Sequence, residues 1–339
     1  MNDHLSSPAA PFVVVHDALA TAAPANGALN GAVLALGNFE GVHRGHHAVI
    51  DAALAGARAL RRPAAAMTFE PHPRAFFNPD ARVFRLTDVA TKLRLLASTG
   101  LNGAIVMRFD AALAALTAEA FIAQVLVERY AVAGVAVGYD FHFGKGRGGT
   151  PDFLVLEGRR LGFAVDIVPA FRDGSQRVSS GAIRDALTQG DVGLAARLLG
   201  YPWFVTGVVE HGDRRGRELG FPTANIRLDP QCGLRHGVYA VRVGVGDKRY
   251  DGVANFGRRP MFDTGVVLLE AFLFDFAGDL YGKTLDVAFI AWIRPELKFD
   301  TVGELVRRME EDAGIARAAL AQAGDAFPPV APLSVRAVA

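Results

Sequence analysis

The segment Gly37-Asn-Phe-Glu-Gly-Val-His-Arg-Gly-His46 holds residue types suited to phosphate chemistry. Gly45 lets a backbone come close to an anion, and a helix starting here would turn its first N–H groups and positive dipole end toward it. His43 and His46 could then donate hydrogen bonds to charge developing on a phosphorus-bound oxygen. A second group, Val178-Ser-Ser-Gly-Ala-Ile-Arg184, places two hydroxyls and a guanidinium around another helix start, a set suited to polyphosphate. Ser179 or Ser180 reads equally as a plain N-cap. Two further loops, Glu70-Pro-His-Pro-Arg74 and the glycine-rich stretch from Gly138 to Gly149 that contains Asp140 and Phe141, follow apolar runs.

The C-terminal half offers a different phosphate cradle. Between Glu210 and Asn225, Gly212, Gly216 and Gly220 lie among basic residues and make a cationic loop, although not a Walker loop. Composition alone reads it equally as a solvated hairpin. Thr223 and Asn225 are hard oxygen donors at alternate positions of a strand, hence on one face, where they could ligate a magnesium ion carrying nucleotide phosphates. Glu270 is the early carboxylate of the apolar run Leu268–Phe276. Facing the interior mouth of a barrel it would serve as general base on a primary hydroxyl; facing solvent it would do nothing.

The elements that position these groups follow from the pattern of apolar runs. From Val33 to about Leu187, short apolar runs (33–37, 65–69, 104–108, 135–139, 165–168) alternate with helical segments near 47–61, 87–99, 117–130, 151–162 and 179–189. Runs without strict alternation imply strands covered on both faces, so the expectation is an α/β domain with a parallel, doubly wound sheet. The loops above then lie beyond the C-terminal ends of strands, where such sheets bind ligands. After about Leu199, six runs with hairpin punctuation (205–210, 223–228, 238–244, 249–255, 267–276, 285–293) predict a small antiparallel β-barrel, followed by a helix from about Thr301 to Gln322. The expected organisation is a sheet domain over 12–187, a linker over 188–203, a barrel domain over 204–322 and a disordered tail over 323–339.

Composition narrows the function classes. The 339 residues include 36 Lys+Arg against 35 Asp+Glu, a balance that argues against nucleic-acid binding through many phosphate contacts. With Cys232 as the one cysteine, neither an intramolecular disulfide nor a cysteine-based zinc site is possible. No apolar run approaches the ~18 residues of a membrane span and no secretory leader is evident, so the expectation is a cytoplasmic protein without nucleic-acid, membrane or obligate protein partners.

Taken in order, these motifs resemble the bacterial bifunctional riboflavin kinase / FAD synthetase family, over about residues 12–320. The first half resembles its nucleotidyltransferase, with Glu40 where Asp is usual, Gly181 where the Ser-Ser-Thr signature has Thr, and His142 where the Gly-Tyr-Asp-Phe loop continues with Arg. The second half resembles its riboflavin kinase, with Met261 replacing a usual Thr and Ala271-Phe272 replacing Val-His. The resemblance implies a Rossmann-like nucleotidyltransferase domain, then a six-stranded barrel with a C-terminal helix. It further implies that riboflavin and ATP give FMN, and that FMN and ATP give FAD with release of pyrophosphate. Under it, Gly37, Asn38, His43, Gly45, His46, Ser179, Ser180 and Arg184 hold ATP phosphates in the first domain, and Asp140 and Phe141 lie near the flavin. Thr223 and Asn225 bind Mg2+ with ATP beside the glycine loop, and Glu270 activates the ribityl hydroxyl. Two alternatives are a riboflavin kinase that has lost adenylyl transfer through Glu40 and Gly181, and a flavin-binding sensor without turnover. A tRNA-handling relative is disfavoured by the balanced charge.

Overall fold

The computed structural model describes residues 11–21, 27, 29–80, 83–211, 222–258, 267–330 and 336–338. It contains two compact units: Met1–Ala81, Asp88–Arg177 and Val330–Ala339 form the first, and Arg82–Thr87 with Val178–Pro329 form the second.

In the first unit the apolar runs become strands β1 (Val13–Asp17), β2 (Val33–Leu36), β3 (Ala64–Glu70), β4 (Gly103–Arg108), β5 (Gly134–Gly138) and β6 (Ala164–Val168). They pair in parallel in the order β1-β4-β3-β2-β5-β6. All four residues of β2 are buried, as expected of a strand covered on both faces, and Val-Leu-Ala-Leu therefore shows no alternation. Helices α1 (Arg44–Leu60), α2 (Pro73–Phe77), α3 (Val89–Ala97), α4 (Ala111–Ala115), α5 (Ala118–Ala120, running on as a π-helix over Phe121–Arg129) and α6 (Pro151–Leu161) connect them. Polar N-caps set several of these starts: the Asp88 carboxylate accepts from Thr91 N, and the Thr150 hydroxyl from Phe153 N. Since β3 lies on one side of β2 and β5 on the other, the strand order reverses at β2. The crevice beyond its C-terminal end is the switch point where open α/β sheets bind ligands. A hairpin, β7 (Arg172–Asp173) with β8 (Gln176–Arg177), was not expected from the sequence.

The second unit contains α7 (Ser180–Gln189) and α8 (Val192–Leu199) ahead of its strands. The 188–203 segment, expected as a linker, is thus largely helical, with Asp191 capping α8 and Gly200 ending it at positive φ. Strands β9 (Phe204–Glu210), β10 (Thr223–Leu228), β11 (Gly237–Val245), β12 (Lys248–Arg258), β13 (Val267–Leu273) and β14 (Thr284–Arg294) close into an antiparallel barrel in the order β10-β13-β12-β11-β14-β9. Ile226, Val241, Phe256, Leu269, Val287 and Phe289 are buried in its interior. Helix α9 (Val302–Gln322) covers part of the outer wall, packing Ala316 and Leu320 on Ala240, Val253 and Phe272. It is pinned by the buried Arg294–Asp312 ion pair at 2.6 Å.

Disorder of the whole 323–339 tail is corrected. Arg242 Nη1 donates to the carbonyls of Gly324 and Ala326, and the Arg249 guanidinium lies over the Phe327 ring. A last strand, β15 (Arg336–Val338), then pairs in parallel with Val13–Val15 at the edge of the first unit's sheet, where β1 otherwise leaves its N–H and C=O groups unpaired.

Candidate active sites

The first site lies where β2 ends. Gly37 N is held by Met67 O, and the chain then turns through Phe39, Gly41 and Val42, all at positive φ, before His43 caps α1. His43 Nδ1 accepts from His46 N at 3.2 Å, so the neutral His43 ring carries its proton on Nε2. The two rings stack at 3.6 Å between centroids, and Phe39 closes on His46 edge-on at 5.3 Å. His46 Nδ1 is buried without a hydrogen-bond partner, a polar atom placed for something other than the fold. The expected histidine pair is therefore assembled at the N-terminus of α1, with Gly45 in the first helical turn and the Asn38 carbonyl fixed by the Thr68 hydroxyl.

Burial, reinforced by His43, the Lys92 ammonium and His47, holds the His46 imidazole well below its ordinary range. The sign of the stability effect follows. Folded His46 stays neutral where an unfolded histidine would take up a proton, so its contribution is complete above pH ~6.5 and is lost as pH falls below that value toward the folded pKa. Thermal melts should fall between pH 7.5 and 5, and His46→Gln should flatten that dependence; an equal slope in both proteins would show that other groups govern it.

The β5 loop flanks the same switch point. Asp140 pairs with Arg177, whose guanidinium also lies over the Tyr139 ring. Phe141 stacks on Phe143 at 5.7 Å and packs against the sheet core. The hairpin bridges both loops, because Arg44 at the start of α1 donates to Asp173 at 2.8 Å while Arg177 at its other end takes Asp140. Sequence reasoning missed this clamp, and it missed the buried Lys92 and Thr68. A lysine four residues before Leu96, within an otherwise apolar helix stripe, was the signal available for Lys92.

Ser179, Ser180 and Arg184 fall in the second unit. The Ser179 hydroxyl accepts from Ala182 N and so caps α7, while Ser180 occupies the first helical position. Arg184 Nε donates to Phe84 O at 2.6 Å.

On the barrel, cross-strand register aligns Glu210, Asn225, Glu270 and Asn255 in one row over β9, β10, β13 and β12. Directly opposed residues share a face. Along β13 the buried Val267, Leu269, Ala271 and Leu273 alternate with Leu268, Glu270 and Phe272, so the row lies on the outer wall. The sequence leaves open whether Glu270 faces the interior mouth or the outside; apolar side chains fill the interior, and the carboxylate stands on the outer wall in the row with Asn225 and Asn255. Asn225 is 7% exposed; its Nδ2 donates to Thr223 O, and its Oδ1 is buried without a partner. A lone hard acceptor on the face shared with Thr223, between two carboxylate-bearing strands, fits a divalent cation. Among the described residues, no group of three or more His, Cys, Asp and Glu could hold a metal. Gly212, Gly216 and Gly220 lie outside the described residues.

Comparison with known proteins decides the family. A family described as FAD synthetase matches residues 26–182 and one described as riboflavin kinase matches residues 199–320. The chain is 43% identical over 290 residues to the bifunctional riboflavin kinase/FMN adenylyltransferase of Escherichia coli K12, covering 85% of this chain and 92% of that protein. It belongs to the bifunctional riboflavin kinase/FMN adenylyltransferase family. The relative of the same name from Bacillus subtilis 168 is 37% identical over 83% of this chain and 90% of its own length. A crystal structure of a Streptococcus pneumoniae protein named for macrolide efflux shares the architecture at TM-score 0.77 and 32% identity, over 85% of this chain and 94% of that one. Among the described residues, no helix is long and apolar enough to cross a membrane.

Departures from the family pattern sit in unlike environments. Glu40 is buried in the turn before His43, whereas His142 is exposed, with its Nδ1 at 2.9 Å from Asp140 O. A Cβ added at Gly181 would meet only Ser179 Oγ, at 3.7 Å.

Proposed function

We propose that the chain phosphorylates riboflavin to FMN on its barrel and adenylylates FMN to FAD on its parallel sheet, each with ATP, as a cytoplasmic enzyme. The observation that carries this reading is that each unit holds its own polar site in an apolar frame: the buried histidine stack at the switch point and the Asn225–Glu270 row on the barrel wall.

In the first reaction the ribityl 5′-hydroxyl loses its proton to Glu270 as its oxygen bonds to the γ-phosphorus of ATP, and ADP leaves. Thr223 and Asn225 Oδ1 would hold Mg2+, which when bound neutralises phosphate charge. In the second, an oxygen of the FMN phosphate attacks the α-phosphorus of ATP, the bond to the bridging oxygen breaks, and pyrophosphate leaves. No protein nucleophile is required. The α1 N–H groups, the His43 Nε2 proton and His46 stabilise charge on the phosphate oxygens, with Gly37, Asn38 and Gly45 forming the approach. The family resemblance assigns phosphate contacts to Ser179, Ser180 and Arg184 and flavin contacts to Asp140 and Phe141, and Gly212, Gly216 and Gly220 would wrap the kinase nucleotide.

Supplying each half-reaction separately tests the reading. Riboflavin with ATP should yield ADP, and FMN with ATP should yield pyrophosphate; absence of either product removes that half of the proposal.

Gly181 gives a further prediction. Its α-helical position and the space around it accept a side chain, so threonine enters without strain. A hydroxyl bonded to a charged phosphate oxygen contributes roughly 1.5–3 kcal/mol, or ~10–150-fold. Gly181→Thr is expected to raise the efficiency of FAD formation within that range and leave riboflavin phosphorylation unchanged. Steady-state kinetics of both half-reactions check it; an unchanged adenylyl transfer means that another group already supplies the bond.

A further inference from the structure

Lys92 is 1% exposed in the first unit, on the face of α3 that also buries Leu95 and Leu96. Its ammonium donates to Glu70 Oε1 at 2.7 Å and to Thr68 Oγ1 at 3.1 Å. The Thr68 hydroxyl donates onward to the Asn38 carbonyl at 3.1 Å. A chain of hydrogen bonds thus runs from α3 through β3 to the turn that carries His43 and His46. Fastening α3 to β3 does not by itself call for a charge, since apolar packing does so without desolvating an ammonium. The charge here ends on the backbone of the turn that carries His43 and His46.

We infer that Lys92 is a positioning residue for adenylyl transfer, acting through Thr68 on the Asn38 backbone so that the turn presents His43 and His46 to the nucleotide phosphates. This rests on the adenylyltransferase reading above. The ammonium has a second effect in the same direction. It adds to burial in keeping His46 uncharged, so that this ring retains a lone pair on one nitrogen and a proton on the other.

Thr68 offers the cleaner test, because Thr68→Val removes the hydroxyl at nearly constant shape and leaves the Lys92–Glu70 pair intact. A sub-ångström displacement of a phosphate-binding turn should cost kcat for FAD formation ~10-fold in Thr68→Val and ~10²-fold in Lys92→Met, with KM for ATP and FMN moving less than about twofold. Thr68→Ser, which keeps the hydroxyl, should restore most of the loss. The double variant Thr68→Val/Lys92→Met should be no slower than Lys92→Met alone, since both act along one chain. Circular dichroism and thermal melting certify folding of the sheet unit, and unchanged riboflavin phosphorylation shows that the effect is confined to adenylyl transfer. If Lys92→Met does not fold, the Val and Ser variants of Thr68 decide the matter. Parent-like turnover in Thr68→Val, an equal loss in Thr68→Ser, or additive losses in the double variant would overturn the inference. Absence of FAD formation in the parent protein would instead overturn the reading on which it rests.

Discussion

His46→Ala is expected to lower FAD formation from supplied FMN and ATP by about 10²–10³-fold, the range for removing one preorganised donor from a site of charge development. The ring is held by stacking on His43 at 3.6 Å and by the edge of Phe39, so its position is fixed before any substrate arrives. Its unpartnered Nδ1 loses nothing in the fold when it is removed. Riboflavin phosphorylation should stay within about twofold, because the proposed base and metal donors belong to the other unit and no step of that reaction draws on the positioned ring. Chromatography of both half-reactions measures this. Loss of both activities in a folded protein would refute the modular assignment, and retention of both would reduce the histidine stack to a packing feature.

Glu270→Gln should produce the converse pattern. The substitution keeps the side chain's size and its place opposite Asn225 and Asn255 but removes the proton acceptor. General-base catalysis contributes ~10²–10⁴-fold, and FMN formation should fall by that order while FAD formation from supplied FMN continues. Because Glu270 stands on the outer wall and not among the buried Leu269 and Ala271, the change leaves the barrel core untouched and the melting temperature should hardly move. A loss below about threefold would make Glu270 one more polar residue on an outer face.

What the sequence made legible followed from local signals. The parallel strands stood out because burial on both faces forces short unbroken apolar runs, and the barrel strands because hairpin residues separate them. The helix expected from Thr301 begins at Val302 with the Thr301 hydroxyl accepting from Glu304 N, a start written in the residue types themselves. The side of the barrel on which Glu270 stands was not legible. Since α9 covers part of the outer wall, Phe272 on that face is as apolar as Leu269 and Ala271 inside, and composition does not say which face is the interior. The Arg172–Arg177 hairpin was missed because its two-residue strands carry no apolar signal, and β15 because its partner β1 lies more than three hundred residues earlier. Lys92 was missed for a related reason: Thr68, Glu70 and Asn38, which explain a buried ammonium, come together only in the folded sheet.

The central claim is that one chain carries riboflavin through both steps. Incubating the purified protein with riboflavin, ATP and magnesium, and separating flavins chromatographically over time, tests it most directly. FMN should rise first, and FAD should follow as FMN accumulates, with pyrophosphate released in proportion to FAD. FMN that accumulates without FAD would contradict adenylyl transfer on the sheet, and riboflavin left unchanged would contradict both activities.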